Sequence, residues 1–174
     1  MPEEKIVVLM GSPRDLTFAA KIKSFLKKEK IPVSCVYNVA SAHRTPEKLL
    51  NDLKENEKSK SNIVYVTVAG LSDALSGVVA GYSRYPVIAC PPDSEKFGSE
   101  KVFSSTAMPR GIPVAYVVKP ENAALVAIRI FALTNPELKE CLDKFKEKMA
   151  KEVYQGAEEV KKLTQKKDIN RLVV

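Results

Sequence analysis

Apolar positions along the chain fall into two kinds of block. Ile6-Val7-Val8-Leu9-Met10 is a short unbroken apolar run ending at Gly11-Ser12, the pattern of a strand buried on both faces. Phe18, Ile22, Phe25 and Leu26 then recur at helical spacing and predict a helix. IPVSCVY, residues 31–37, reads as a second strand. Thr45 as N-cap and Pro46 at the first helical position open a second helix, whose apolar face is Leu49, Leu50 and Leu53. NIVYVTVAG, residues 62–70, is the clearest strand, rich in β-branched residues and stopped by Gly70. Ser72 is placed to cap a helix running to about Gly81. YPVIACPP and IPVAYVV supply two further strands, and ENAALVAIRIFAL a helix.

Five short apolar strands separated by helices imply a parallel sheet with helices on both faces, an αβα sandwich. Such sheets bind ligands beyond the carboxyl ends of their strands. Gly11-Ser12, residues 39–45 and Gly70-Leu71-Ser72 all lie at or just after such ends and are expected to converge. The helix at 121–133 has little polar face, because Leu125, Val126, Ile128, Ile130 and Phe131 surround it. It is expected to be buried against other subunits, since one domain of this size has few places to hide it. From Pro136 a long last helix carries Leu138, Leu142, Phe145, Met149 and Val153 at helical spacing, a stripe that needs a surface on this chain or a neighbour. One domain is expected over 1–174, with an αβα core over 1–135 and a helical extension over 136–174.

Composition narrows the classes. The 174 residues are 45% hydrophobic and 28% charged, with no apolar run near the roughly 18–20 residues of a membrane span. The N-terminus resembles no secretory signal. Cys35, Cys90 and Cys141 are far apart and without metal-ligand spacing, so three buried thiols in a reducing cytoplasm are expected. The net charge of +7 splits into +2 over residues 136–174 and +5 over the rest. No basic block stands out and no aromatic residues interleave with basic ones, so the footprint for nucleic acid is weak. A mild positive field suits small anionic substrates equally.

Candidate chemistry sits in the loops. LMGSPRDL joins a strand end, Gly11-Ser12 and a helix start, where exposed N–H groups favour an anion. Arg14 adds a positive charge and Asp15 a carboxylate able to grip ribose hydroxyls. From this stretch alone an ordinary βα turn capped by Asp15 is the preferred reading, because it is neither a Walker A loop nor a Rossmann fingerprint. His43 is the single histidine of the chain and lies in the small-residue loop Ser41-Ala42-His43-Arg44. An imidazole can carry a proton in either direction near neutral pH, and here catalytic and structural readings stand about even. A histidine-rich metal site is excluded by the count. Ala69-Gly70-Leu71-Ser72 is again either a ligand loop or a plain helix start, and SSTAMPRG, residues 104–111, is read as a polar loop with Met108-Pro109 as an apolar lid.

Taken together, Gly11-Ser12, Asp15, Ser41 to Thr45, Ala69-Gly70, Ser104, Met108-Pro109, Gly111 and Asn122-Ala123-Ala124 resemble the PurE family, in order, over residues 5 to 135. That family makes carboxyaminoimidazole ribonucleotide in purine biosynthesis. The resemblance implies a flavodoxin-like αβα sandwich, a homo-octamer in the cytoplasm, and no cofactor. It implies His43 as the proton carrier, phosphate held by Ser12, Arg14, Ser41 and Arg44, and ribose by Asp15. The Gly70–Ser72 loop would close around the base and CO2, with Gly11, Ala42, Ala69, Leu71 and Met108 completing the site.

The family has two branches. The third loop of the mutases reads Ala-Gly-x-Ala-Ala-His-Leu-Pro-Gly, and that of the carboxylases Ala-Gly-Arg-Ser-Asn. This chain reads Ala69-Gly70-Leu71-Ser72-Asp73-Ala74-Leu75-Ser76-Gly77, without the mutase histidine. Ser72, Leu75 and Cys90-Pro91-Pro92 resemble the carboxylase branch, which uses aminoimidazole ribonucleotide and free CO2. Four residues depart from that branch: Arg14 stands for a serine, Leu71 and Asp73 for Arg and Asn, and Arg44 is the mutase-like choice. Other readings are the mutase, a flavin- or phosphate-binding module of the same fold, and a nucleic-acid binder.

Overall fold

The computed structural model describes residues 3–92 and 94–165. Five parallel strands form one sheet: β1 (Glu4–Met10), β2 (Ser34–Val39), β3 (Asn62–Val68), β4 (Val87–Ala89) and β5 (Ala115–Tyr116). Their order across the sheet is β2-β1-β3-β4-β5, the flavodoxin-like arrangement. Six α-helices accompany them: α1 (Leu16–Lys28), α2 (Pro46–Glu57), α3 (Ala74–Tyr82), α4 (Ser94–Thr106), α5 (Pro120–Phe131) and α6 (Pro136–Gln165).

The period of two along each strand divides the core. Ile6, Val8 and Met10 of β1, with Val64, Val66 and Val68 of β3, face Ile22 and Leu26 of α1 and Ala124 and Ile128 of α5. Val7, Leu9, Ile63 and Tyr65 point the other way, onto Leu49 and Leu53 of α2 and Leu75 and Val79 of α3. Both faces are therefore dry, which is why the strands read as unbroken apolar runs.

Several boundaries differ from those read off the sequence. The second strand begins at Ser34, because Ile31 and Val33 are used in the turn that closes α1: the Ile31 N–H donates to the Leu26 carbonyl and the Val33 N–H to that of Ile31. Thr45 precedes α2 but does not cap it; its Oγ accepts the Ser41 N–H at 2.9 Å and closes the preceding turn. The cap of α3 is Asp73, not Ser72, since the Asp73 carboxylate accepts the Ser76 N–H at 3.2 Å. Residues 104–106, expected in a loop, form the last turn of α4. That helix has no apolar stripe and is broken at Gly98, where φ is +51°, so nothing in its hydrophobic pattern announces it.

The apolar surround of α5 has an explanation within the chain. Ala123, Ala124, Ala127, Ile128 and Phe131 are buried in its own core, and Leu125, Val126 and Ile130 pack partly against it. Within the chain α1 and α6 flank the helix, and Leu125, Val126 and Ile130 are left half-buried. Asn135 starts α6: its Oδ1 accepts the Glu137 and Leu138 N–H groups at 3.0 and 3.3 Å. Leu138 and Leu142 then join the core, so the first turns of the expected extension belong to it. Phe145 meets Phe25 edge to face at 5.6 Å, and Lys148 bonds Glu29 at 2.9 Å. Past that point the stripe is open, with Met149, Val153, Tyr154 and Val160 exposed. Residues 166–174 of the expected extension lie outside the described residues.

Of the three thiols, Cys35 and Cys90 are buried as expected, whereas Cys141 is half-buried where α6 leaves the core. Burial pushes the Cys90 thiol up to about 12, with the Glu121 carboxylate adding to the shift. No described helix is long and apolar enough to cross a membrane.

If α5 is held by its own core, truncations along it should separate cleanly. Ile128→Ala, at a fully buried position, should cost about 2–5 kcal/mol. Leu133→Ala, just past the helix at 84% exposure, should change stability by no more than about 0.5 kcal/mol. Denaturant midpoints of the two variants measure both; equal losses would mean that Leu133 is covered in solution and Ile128 is not special.

Candidate active site

Three chain segments leave the carboxyl edge of the sheet side by side, and hydrogen bonds continue the strand ladders past the strand ends. The Gly11 N–H donates to the Val68 carbonyl at 2.9 Å, and the Ala40 N–H to the Met10 carbonyl at 3.0 Å. The loops after β1, β2 and β3 are thus set at one level. The β1/β3 junction is also the switch point of the sheet, where the chain departs to opposite faces. A Cβ added to Gly11 would lie 3.4 Å from the Ala69 Cβ, which shows how closely the first and third loops approach.

Each loop is built by local chemistry. Ser12 caps a single 3-10 turn, Pro13–Asp15: its Oγ accepts the Arg14 N–H at 3.3 Å, while the Asp15 carboxylate accepts the Ser12 N–H at 2.9 Å. This reciprocal capping box, and not Asp15 alone, starts the helix. After β2, the Ser41 Oγ accepts the Arg44 N–H at 3.2 Å, and the Arg44 guanidinium reaches across to donate to the Gly11 carbonyl at 3.3 Å. Ser41 and Arg44 thereby tie the second loop to the first. The third loop passes through Leu71 at φ +57°, a left-handed conformation that costs a leucine about 1–2 kcal/mol.

These loops surround a cleft of about 810 Å³. From the first loop come Gly11, Ser12, Arg14 and Asp15; from the second Ser41, Ala42, His43 and Arg44; from the third Ala69, Gly70, Leu71 and Ser72. All the candidate residues but one therefore line one space. Met108 is the exception: it packs over α3, where its Sδ would lie 3.2 Å from a Cβ on Gly77. Pro13 and Leu75 also line the cleft; the sequence marks Leu75 only as a feature of the carboxylase branch and gives Pro13 no role.

The imidazole of His43 and the guanidinium of Arg14 are exposed at the cleft, so both are available to a ligand. Arg14 and Arg44 place two cations at its wall, which favours an anionic group there. Among the described residues no group of three His, Cys, Asp or Glu is placed to hold a metal ion.

Behind the third loop lies a set of polar residues that sequence reasoning missed. Lys101 is buried, and its Nζ donates to the Ala69 carbonyl at 2.9 Å and the Leu71 carbonyl at 2.5 Å. Asp73 is also buried, and its carboxylate accepts from Ser76 and Ser105 hydroxyls at 2.7 Å each. A lone lysine in a polar stretch carries no sequence signal for such a place.

The part of the chain that carries these three loops matches known proteins. The family model described as AIR carboxylase matches residues 5–152. The chain is 45% identical over 157 residues to the phosphoribosylaminoimidazole carboxylase of Archaeoglobus fulgidus, covering 90% of this chain and 85% of that protein. It is 42% identical over 160 residues to the N5-carboxyaminoimidazole ribonucleotide mutase of Methanocaldococcus jannaschii, covering 91% and 98%. The crystal structure of Treponema denticola PurE superimposes with a TM-score of 0.86 at 38% identity, over 91% of this chain and 99% of that one. These matches run from the first strand into the last helix and take in every segment that lines the cleft, and by them the chain belongs to the AIR carboxylase (PurE) family.

Proposed function

We propose that the protein catalyses the reversible carboxylation of aminoimidazole ribonucleotide with CO2, giving carboxyaminoimidazole ribonucleotide. One observation carries the choice of carboxylase over mutase. The third loop at the cleft reads Ala69-Gly70-Leu71-Ser72-Asp73, with no imidazole, and the only histidine of the chain is His43 on the second loop. A mutase must release CO2 from a bound carbamate and hold it until recapture, and the histidine its third loop uses has no substitute here.

In this reading Ser12, Arg14, Ser41 and Arg44 hold the phosphate, Asp15 the ribose, and the Gly70–Ser72 loop encloses the base and CO2. The electron-rich C4 of the aminoimidazole attacks the carbon of CO2. A C–C bond forms, and one C=O electron pair moves to oxygen to give the carboxylate. His43 then takes the proton from C4 and aromaticity returns; in reverse, His43 donates that proton and CO2 leaves. The nucleophile is the enamine of the substrate itself, so the step draws on orientation and exclusion of water. Self-association, an octamer by the resemblance, belongs to the same reading, and the exposed Phe103, Val153 and Tyr154 side chains support it.

Loss of the proton carrier should be read in turnover. His43→Asn is expected to lower turnover by about 100-fold or more while the nucleotide still binds, measured by steady-state rates and calorimetry. The phosphate contacts act remotely from the reacting carbon. Arg14→Ser should therefore raise KM roughly tenfold or more, and lower kcat much less, as expected for a charge-assisted contact worth about 1.5–3 kcal/mol. An unchanged KM would mean that Arg14 points elsewhere.

The carbon donor is decided by label. Carbamate labelled in its carboxylate is mixed with enzyme in unlabelled CO2, and product is sampled early. Product labelled only to the level of the dissolved pool is the expected result, whereas early retention of label shows direct transfer and replaces this reading with the mutase.

A further inference from the structure

We propose that Lys101, which lies outside the cleft, is a positioning residue that fixes the third loop in the geometry the carboxyl transfer requires. The proposal rests on the functional reading above. Lys101 is 2% exposed. A buried ammonium is retained only where polar groups take its protons, and here main-chain carbonyls of Ala69 and Leu71 do so at 2.9 and 2.5 Å. Two further residues of α4, at i+3 and i+4 from Lys101 and hence on the same helix face, hold the next part of the loop. Ser104 Oγ accepts the Asp73 N–H at 3.0 Å, and Ser105 Oγ donates to the Asp73 carboxylate at 2.7 Å. One face of α4 thus grips the loop from Ala69 to Asp73.

The loop needs such a grip. Leu71 sits at φ +57° with its side chain 72% exposed, so the strained conformation is not retained by packing of that side chain. The direction of the grip also matters. Each peptide unit is planar and trans, so a carbonyl and the N–H that follows it point in opposite directions. With the Ala69 and Leu71 carbonyls aimed at Lys101, the Gly70 and Ser72 N–H groups point away from it. Gly70 and Ser72 line the cleft, and Lys101 does not. Fixing two carbonyls from behind therefore fixes two donors in front, where negative charge develops on the CO2 oxygens. Donors that are already oriented stabilise such charge without reorganising at the moment of reaction.

The test compares wild type, Lys101→Met and Ser104→Ala as full chains, by kcat, KM for aminoimidazole ribonucleotide, and amide hydrogen exchange of residues 69–73. Lys101→Met removes the donor and keeps the stem. Its turnover should fall about 10- to 100-fold while KM stays within about twofold, since the phosphate and ribose contacts lie on other loops. Exchange over 69–73 should quicken about tenfold, with β1 and β3 unaltered. Ser104→Ala should change both readouts in the same direction by less. Unaltered exchange in Lys101→Met overturns the proposal, and so does faster exchange at wild-type turnover. Should Lys101→Met fail to fold, Ser104→Ala decides by the same pair of readouts: a joint change supports the clamp, and no change overturns it. A wild-type enzyme that forms no product from CO2 overturns the functional reading, and the positioning role with it. An active wild type with unaltered variants overturns the positioning role alone.

Discussion

The ladder between β1 and its two neighbours is the constraint on which the rest of the molecule depends. β1 pairs along its length with β2 on one side and β3 on the other, from Lys5 to Met10 in both directions. Because parallel pairing in register ends all three strands at the same height, the loops that follow must share one rim. The order β2-β1-β3 then sends the chain to opposite faces on either side of β1, which opens a crevice between the loops. Every side chain at the cleft hangs from that arrangement. A register slip of one residue would turn the apolar residues of β1 to the wrong faces and misplace Gly11 against Ala69 together.

Polar groups set the finer geometry of the rim, half-buried to exposed on the first two loops and buried behind the third. The Ser12–Asp15 capping box shapes the first loop, the Ser41–Arg44 turn the second, and Arg44 ties the second to the first through the Gly11 carbonyl. The third loop is held from behind by Lys101, Ser104 and Ser105. Burying an ammonium and a carboxylate there costs solvation, and the hydrogen bonds to carbonyls, hydroxyls and amides offset it. The left-handed Leu71 fits the same description: a locally unfavourable conformation is maintained by its surroundings at the rim of the cleft.

Away from the rim, the molecule divides into a finished and an unfinished part. The sheet, α1, α2, α3 and α5 bury their apolar faces within one chain. The helix α6 begins in the same way with Leu138 and Leu142, but extends about 45 Å in all at 1.5 Å per residue, well past the body it starts on. Its later apolar residues, from Met149 to Val160, remain exposed. Much of the apolar surface of α5 is met by packing within the chain, and Leu125, Val126 and Ile130 are left half-buried.

What the sequence by itself determined is the pattern that depends on local periodicity. Unbroken apolar runs marked the strands because both faces of a parallel sheet are dry, and small residues with Gly11, Ala42 and Gly70 marked the loops at their ends. The candidate residues drawn from those loops, His43 among them, do meet at one cleft. What only the tertiary structure decided is whatever depends on partners far along the chain. The helix α4 lacks an apolar stripe and contains Gly98, so its existence rests on contacts with α3 and β5. Lys101 reads as one more surface lysine until the fold brings it to carbonyls about 30 residues earlier in sequence. Asp73 takes the cap from Ser72 because the buried Ser76 and Ser105 hydroxyls bond its carboxylate. Met108 reads as a lid in sequence and lies on Gly77 in space. Periodicity records what one element asks of its surroundings; which surroundings answer is settled only when distant segments are packed together, since the energy of a buried polar group lies in partners that its own neighbours in sequence do not reveal.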